Sequence, residues 1–431
     1  MQNGIEKIGE VIERLGSALS KLTVLHGALS DGVFSALLGL ISAAEAGDGR
    51  NAALRASDLT AALISSGARR VSGDLMMDHV LHTVLLSENP FAKAASAGRM
   101  DDALFRAMRR DLSAMRVLSE LDEETVYRLI TEAGDAKRPD TAAKLATAAW
   151  GGGATPPHIQ KEPQPAKFRF VPPENCWQYG NFELRDTYCA DAGLEGMYRR
   201  FLENDDWTQL VNDLWSFHSA YGCGDFLRYR NFYCDASGLL RPLPDLRAGD
   251  FVPLMEAEYR TLLNNAIAFM RDESAKPMLL YGAQGMGKTT LMLELTDELP
   301  QLRLIYFTPA AKADYTHILD ILRTQPLKFI TLFDDLNPAA LAGVCEPMLP
   351  MNVLLAACAP APVLQSLFEI SVELPRLQLN EFIRIVTKLL EAEQLSMPQE
   401  TVRSACVDYQ VDTRCEFNIA SAVRVKELLQ S

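Results

Sequence analysis

The stretch Pro277-Met-Leu-Leu-Tyr-Gly282-Ala283-Gln284-Gly285-Met286-Gly287-Lys288-Thr289-Thr290 decides how this chain is read. From Gly282 to Thr289 it satisfies G-x-x-x-x-G-K-[ST]. The apolar run before it is short, as a buried parallel strand requires. Thr290-Leu-Met-Leu-Glu-Leu after it opens a helix. Each residue type has a separate physical use. Gly282, Gly285 and Gly287 let the backbone turn, so that N–H groups along the loop, those of Ala283, Gln284 and Met286 included, reach phosphate oxygens. The helix that starts at Lys288 brings its unpaired N–H groups, with Thr290 in the first turn. Lys288 supplies a flexible point charge, and Thr289 offers a hydroxyl to Mg²⁺. A plain glycine-rich turn between strand and helix is the competing reading.

A second motif follows about 45 residues later, Lys328-Phe-Ile-Thr-Leu-Phe333-Asp334-Asp335. An apolar strand that ends in two acids is weak by itself. Paired with the glycine loop it gives a metal carboxylate, Asp334, and a candidate catalytic base for an attacking water, Asp335. Many enzymes of this kind use Glu at the second position, and Asp is one methylene shorter.

Outward from these motifs, residues 302–307 read as a second strand, 352–357 as a fourth and 370–374 as a fifth. Helical segments at 315–323 and 379–392 alternate with them. The fold class expected is α/β, a doubly wound parallel sheet with its ligand at the strand C-termini. A small helical lid follows, and an all-α domain precedes. The boundaries read from composition are an N-terminal helical domain over 1–150, a linker over 151–167 rich in Gly and Pro, an aromatic-rich junction over 168–246, a nucleotide-binding core over 247–376 and the lid over 377–431. In the first of these, helices are expected at 31–46, 57–66, 74–87, 101–119 and 123–133. Asn3 with Glu6 makes a capping signal. Ile5, Ile8, Ile12, Leu15, Leu19 and Leu22 form a heptad seam, read as packing within the protein's own helices ahead of self-association. The aromatics of 168–246, interleaved with Arg228, Arg230 and Arg241, are read as packed rather than as base-stacking.

The chain has 431 residues, enough for two or three domains at ~150 residues each, and 48% hydrophobic residues argue against global disorder. Lys and Arg number 42 against 56 acids, a formal charge of −14, which disfavours a nucleic-acid coat. No leader or membrane span is read, and eight scattered cysteines without C-x-x-C spacing fit a reducing cytoplasm. His79 and His82, three apart, are read as ordinary histidines ahead of a metal pair.

With these residues in view, the layout resembles AAA+ ATPases and, within them, the bacterial proteins grouped as domain of unknown function 815. The resemblance runs from about Tyr221 to Val425. It is carried by Tyr221-Gly-Cys-Gly-Asp-Phe-Leu-Arg-Tyr-Arg-Asn-Phe-Tyr, by Asp250-Phe-Val-Pro-Leu, by Leu263-Asn-Asn-Ala-Ile-Ala-Phe269, by the glycine loop, by Leu302-Arg-Leu-Ile, by Leu322-Arg-Thr-Gln-Pro-Leu-Lys-Phe329 and by Phe333-Asp-Asp-Leu336. It implies ATP and Mg²⁺ as ligands and places Phe251 and Val252 beside the adenine. It also makes Arg414 and Arg424 candidates for a lid arginine at the phosphates. The chain departs from the pattern in three places. Ala357-Cys358-Ala359-Pro360 has no strong polar donor after the fourth strand. Pro362 to Glu369 contains no arginine before the fifth, with Arg376 as an unusual substitute. The connection 337–350 is short and broken by prolines.

The function expected is therefore an ATP-binding switch with slow or partner-stimulated hydrolysis to ADP and phosphate. A non-hydrolysing ATP-binding scaffold is the alternative, and a nucleic-acid-associated loader rests on fold analogy alone. ATP or ADP is the expected small-molecule partner. A protein partner is expected through the N-terminal helical domain, a homo-oligomer is compatible, and no membrane is involved.

Overall fold

The computed structural model describes residues 8–136, 177, 191–235, 237–243, 255–307, 315–334, 348–362, 367–413 and 416–430. The chain divides into two units, Met1–Thr187 with Asp191–His218 and Tyr188–Ala190 with Ser219–Ser431. The aromatic-rich stretch 168–246 is thus shared between them. The linker 151–167 and the capping signal at Asn3 lie outside the described residues.

The first unit is helical. Its elements are α1 (Ile8–Lys21), α2 (Gly32–Glu45), α3 (Gly49–Ser65), α4 (Leu75–Leu86), α5 (Pro90–Ser96), α6 (Asp102–Ser119), α7 (Glu123–Ala136), α8 (Asp191–Glu203) and the start of α9 (Val211–Tyr221). Asp31, Asp48, Asp74, Asn89 and Asp101 each accept a backbone N–H at the start of the helix that follows. Short acids and amides placed just before Ala- and Leu-rich runs set these boundaries. On α1 the buried face is Val11, Leu15, Ala18 and Leu19, continued by Leu22. The expected seam is rotated there: Val11 takes the buried position and Ile8 and Ile12 are half-buried at its margin. That stripe packs against α6 and α2 of the same unit.

Asp111 on α6, fully buried, accepts the backbone N–H groups of Thr23, Val24 and Leu25 and the Thr23 hydroxyl. It satisfies the chain where α1 ends. His79 contacts Asp31 at 3.0 Å through Nε2, so this histidine serves a helix cap. Trp207, Phe201 and Phe217 are buried here, and Phe226 and Phe232 are buried in the second unit, so these rings offer no faces for stacking bases.

In the second unit, α10 (Asp225–Arg228) leads into β1 (Asn231–Cys234) and β2 (Leu240–Pro242). There follow α11 (Glu256–Met270), β3 (Met278–Gly282), α12 (Lys288–Glu298), β4 (Leu302–Phe307), α13 (Tyr315–Arg323), β5 (Lys328–Asp334), β6 (Val353–Ala359) and β7 (Ile370–Leu374). The sheet order is β2-β1-β4-β5-β6-β3-β7, parallel except for β2 at the edge. The doubly wound parallel sheet is borne out, with two further strands that the sequence reading does not contain. Met278 and Leu280 face one apolar cluster and Leu279 the other, which is why β3 reads as an uninterrupted apolar run. β6 extends two residues beyond the expected 357, because all seven of its positions are buried between β5 and β3. Cys358 consequently sits inside the strand, in register with Asp334 and Leu280.

The lid is α14 (Leu379–Ala392), α15 (Gln399–Thr413) and α16 (Ile419–Gln430), packed pairwise. A capping box between Gln378 and Glu381 starts it. Among the described residues no helix is long and apolar enough to cross a membrane.

Two consequences can be measured. The described tryptophans, Trp177, Trp207 and Trp215, belong to the first unit, so their fluorescence follows its unfolding. Asp111→Ala strands three backbone donors and should lower that unit's stability by about 3 kcal/mol or more in urea titrations read by tryptophan emission. On α12, burial together with Asp297 and Glu298 pushes the Glu294 carboxyl up to about 7, and its Oε2 has no hydrogen-bond partner among the described residues. A carboxyl whose folded value lies above its unfolded one binds more protons when folded, so stability falls as pH rises from about 4.5 through about 7. Circular-dichroism melts across that range should show this fall for the second unit, flattened in Glu294→Gln.

Candidate functional site

The site is built where β3 stops and α12 starts. Gly282 has φ 151°, and a Cβ there would lie 2.5 Å from the Leu374 carbonyl of β7. Gly285 and Gly287 have φ of 80° and 79°. The loop can make this path only with glycine at these points. Met286, between them, points its side chain into the apolar cluster under the loop. That buried anchor fixes the tip, while Gln284 is exposed. Gly287 is the N-cap of α12, and the first helical bond runs from Leu291 N to Gly287 O at 2.9 Å. The N–H groups at this helix start are free of intrahelical partners by geometry, which suits an anion.

Lys288 is 8% exposed and folds back over the loop. Its Nζ donates to the carbonyls of Gly282 and Ala283, both at 3.1 Å. Among the described residues this ammonium is held by carbonyls and by no carboxylate. It lies beside a turn of backbone N–H groups, and the combination favours a polyanion. Thr289 donates its hydroxyl to Asp334 Oδ2 at 2.7 Å. A hydroxyl and a carboxylate at this separation are hard oxygen donors of the kind Mg²⁺ takes. The glycine cradle, the lysine and the oxygen pair therefore fit a Mg-nucleotide.

The structure thus brings the residues from Gly282 to Thr290 together with Asp334. Phe251, Val252, Asp335 and Arg414 lie outside the described residues. Arg424 is exposed on α16, and Arg376 is exposed and paired with Glu416 at 3.1 Å. At the end of β6 the side chain opposite Asp334 is the thiol of Cys358, packed in the apolar cluster.

Two residues here escape the sequence reading. Tyr306, at the end of β4, donates its hydroxyl to Asp334 Oδ2 at 3.1 Å. Its signal is strand alternation, since Leu302, Leu304 and Tyr306 share the face that carries Asp334 on β5. Asn418 caps α16 by accepting the Ser421 N–H at 2.8 Å, and a Cβ on Gly285 would lie 3.0 Å from its side chain. Ala420 N donates to Gly285 O at 3.1 Å, so the last lid helix begins on the glycine loop. The Asn-x-x-Ser spacing before an apolar run is a readable cap.

Residues 227–340 match the family model described as "Protein of unknown function (DUF815)". No curated protein matches the sequence. Among solved structures, the Thermotoga maritima RuvB Holliday junction branch migration motor is 18% identical, at a TM-score of 0.29, with 40% of this chain and 69% of that one covered. The Aeropyrum pernix Orc1 protein in complex with DNA is 19% identical, at 0.33, with 44% and 63% covered. Cdc6p from Pyrobaculum aerophilum is 13% identical, at 0.31, with 43% and 65% covered. At such scores these structures say nothing about the activity of this chain. Over the matched residues the sequence resembles domain of unknown function 815.

The glycines supply a stability test. Both positions strain an alanine through positive φ, but Gly282→Ala also drives a Cβ into backbone and should cost about 2 kcal/mol or more, whereas Gly285→Ala otherwise meets only the movable Asn418 side chain and should cost less. Circular-dichroism melts of the two variants should rank them in that order.

Proposed function

We propose that this chain, with its resemblance to AAA+ P-loop ATPases, binds ATP or ADP with Mg²⁺ at Gly282–Thr290 and Asp334 and works as a nucleotide-dependent switch with slow or partner-stimulated hydrolysis. The observation that carries this reading is the Thr289–Asp334 pair at 2.7 Å beside Lys288. Mg²⁺ there would offset charge on the β and γ phosphates. Lys288 would exchange its two carbonyl partners for phosphate oxygens, and the loop N–H groups would orient the chain of phosphates. Thr289 and Asp334 would hold the metal's oxygen shell, and Asp335 is the base we propose for the attacking water. Phe251 and Val252 are proposed beside the adenine and Arg414 near the phosphates. The N-terminal helical domain is the proposed site for a protein partner.

Slow turnover is supported by the chemistry at the end of β6. A buried thiol at Cys358 is a poor donor for aligning water. Arg376 is engaged by Glu416. The same facts favour a second reading, a scaffold that holds ATP without hydrolysing it. A nucleic-acid loader gains nothing from a net charge of −14.

Calorimetric titration of Mg-ATP and Mg-ADP, followed by phosphate release, tests these readings. Wild type should bind both, and Lys288→Ala should weaken binding by about 30-fold or more, equivalent to about 2 kcal/mol. Release that depends on Asp335 identifies an ATPase, and binding without release identifies the scaffold. A folded wild type that binds neither nucleotide contradicts the proposal.

A further inference from the structure

We infer that Tyr306 is a positioning residue for the metal carboxylate, a role that rests on the nucleotide reading above. Asp334 ends β5 and its side chain would otherwise turn about a broad torsion. Two hydroxyls from two other elements meet it at the same oxygen, Oδ2. Thr289 comes from the first turn of α12 at 2.7 Å, and Tyr306 comes from the end of β4 at 3.1 Å. A carboxylate oxygen has two lone pairs, so this pair of donors occupies Oδ2 and leaves Oδ1 for the oxygen shell of a metal.

The backbone dictates the meeting. Tyr306 is in register with Leu332, two residues before Asp334 on the adjacent parallel strand, and side chains two apart share a sheet face. The ring of Tyr306 packs against the apolar cluster below the glycine loop, which fixes where its hydroxyl ends. Thr289 would have a second duty in the nucleotide reading, because its hydroxyl oxygen would also serve the metal's oxygen shell. Tyr306 donates to the same carboxylate oxygen from a strand. It holds the carboxylate in place while Thr289 adjusts, and thereby sets how well the site is formed before metal arrives.

Tyr306→Phe removes the hydroxyl and keeps the packed ring, so the fold is retained. The probe is Mn²⁺, followed by electron paramagnetic resonance with ADP present, alongside ADP titrations in EDTA. The variant should bind Mn²⁺ about threefold to tenfold more weakly, with ADP affinity in EDTA and thermal unfolding unchanged. In an Asp334→Asn background the same change should move Mn²⁺ affinity by less than about twofold, because the role passes through that carboxylate. A merely structural tyrosine would shift the melt or the metal-free ADP affinity instead. Wild-type Mn²⁺ affinity in Tyr306→Phe, or an equal loss in the Asp334→Asn background, overturns the inference and leaves the nucleotide reading standing. A wild type that binds neither ADP nor Mn²⁺ overturns both.

Discussion

A carboxylate at the end of one strand takes hydroxyls from a neighbouring strand and from the helix that starts at the glycine loop. Asp334 thereby joins β4, β5 and α12 at a single oxygen atom. This contact depends on the loop keeping its path, and the path depends on Gly282, where the Leu374 carbonyl leaves no room for a Cβ. The parallel sheet brings these ends together because β3 lies between β6 and β7, one strand removed from β5. The geometry of the site is thus a consequence of strand order and of Gly282, which cannot be replaced cheaply.

Much of this was legible. The expected strands 302–307 and 370–374 and the helices 315–323 and 379–392 coincide with the observed elements. Strand 370–374 and the two helices carry a clear period and 302–307 is a short apolar run buried on both faces, which is when local pattern and tertiary fate agree. The hairpin of β1 and β2 was not legible, because strands of four and three residues carry too little pattern and β1 owes its form to pairing with β4. β6 outran its expected end because burial on both sides kept Cys358 and Ala359 extended, with Cys358 held in register by β3 and β5. On α1 the apolar residues exceed one stripe, so only packing could choose Val11 over Ile8 and Ile12.

The site divides in the same way. Lys288, Thr289 and Asp334 announce themselves through spacing, since the chemistry fixes their order along the chain. Tyr306 and Asn418 carry only a strand-alternation and a helix-cap signal, and what each reaches lies across a gap that only the folded sheet and lid close. The lid helix α16 begins on Gly285, so a change at the loop is felt at the lid through one carbonyl and one amide side chain. In the proposed reading, that contact is where the loop that would cradle phosphate meets the lid.

The most direct test of the nucleotide site is a crystal structure of the wild-type chain grown with Mg-ADP. The result predicted is ADP phosphate density against the backbone N–H groups of the glycine loop, with Lys288 Nζ moved from the Gly282 and Ala283 carbonyls to phosphate oxygens and the metal beside Thr289 and Asp334. Nucleotide density elsewhere on the chain, with Lys288 still on its two carbonyls, would contradict it.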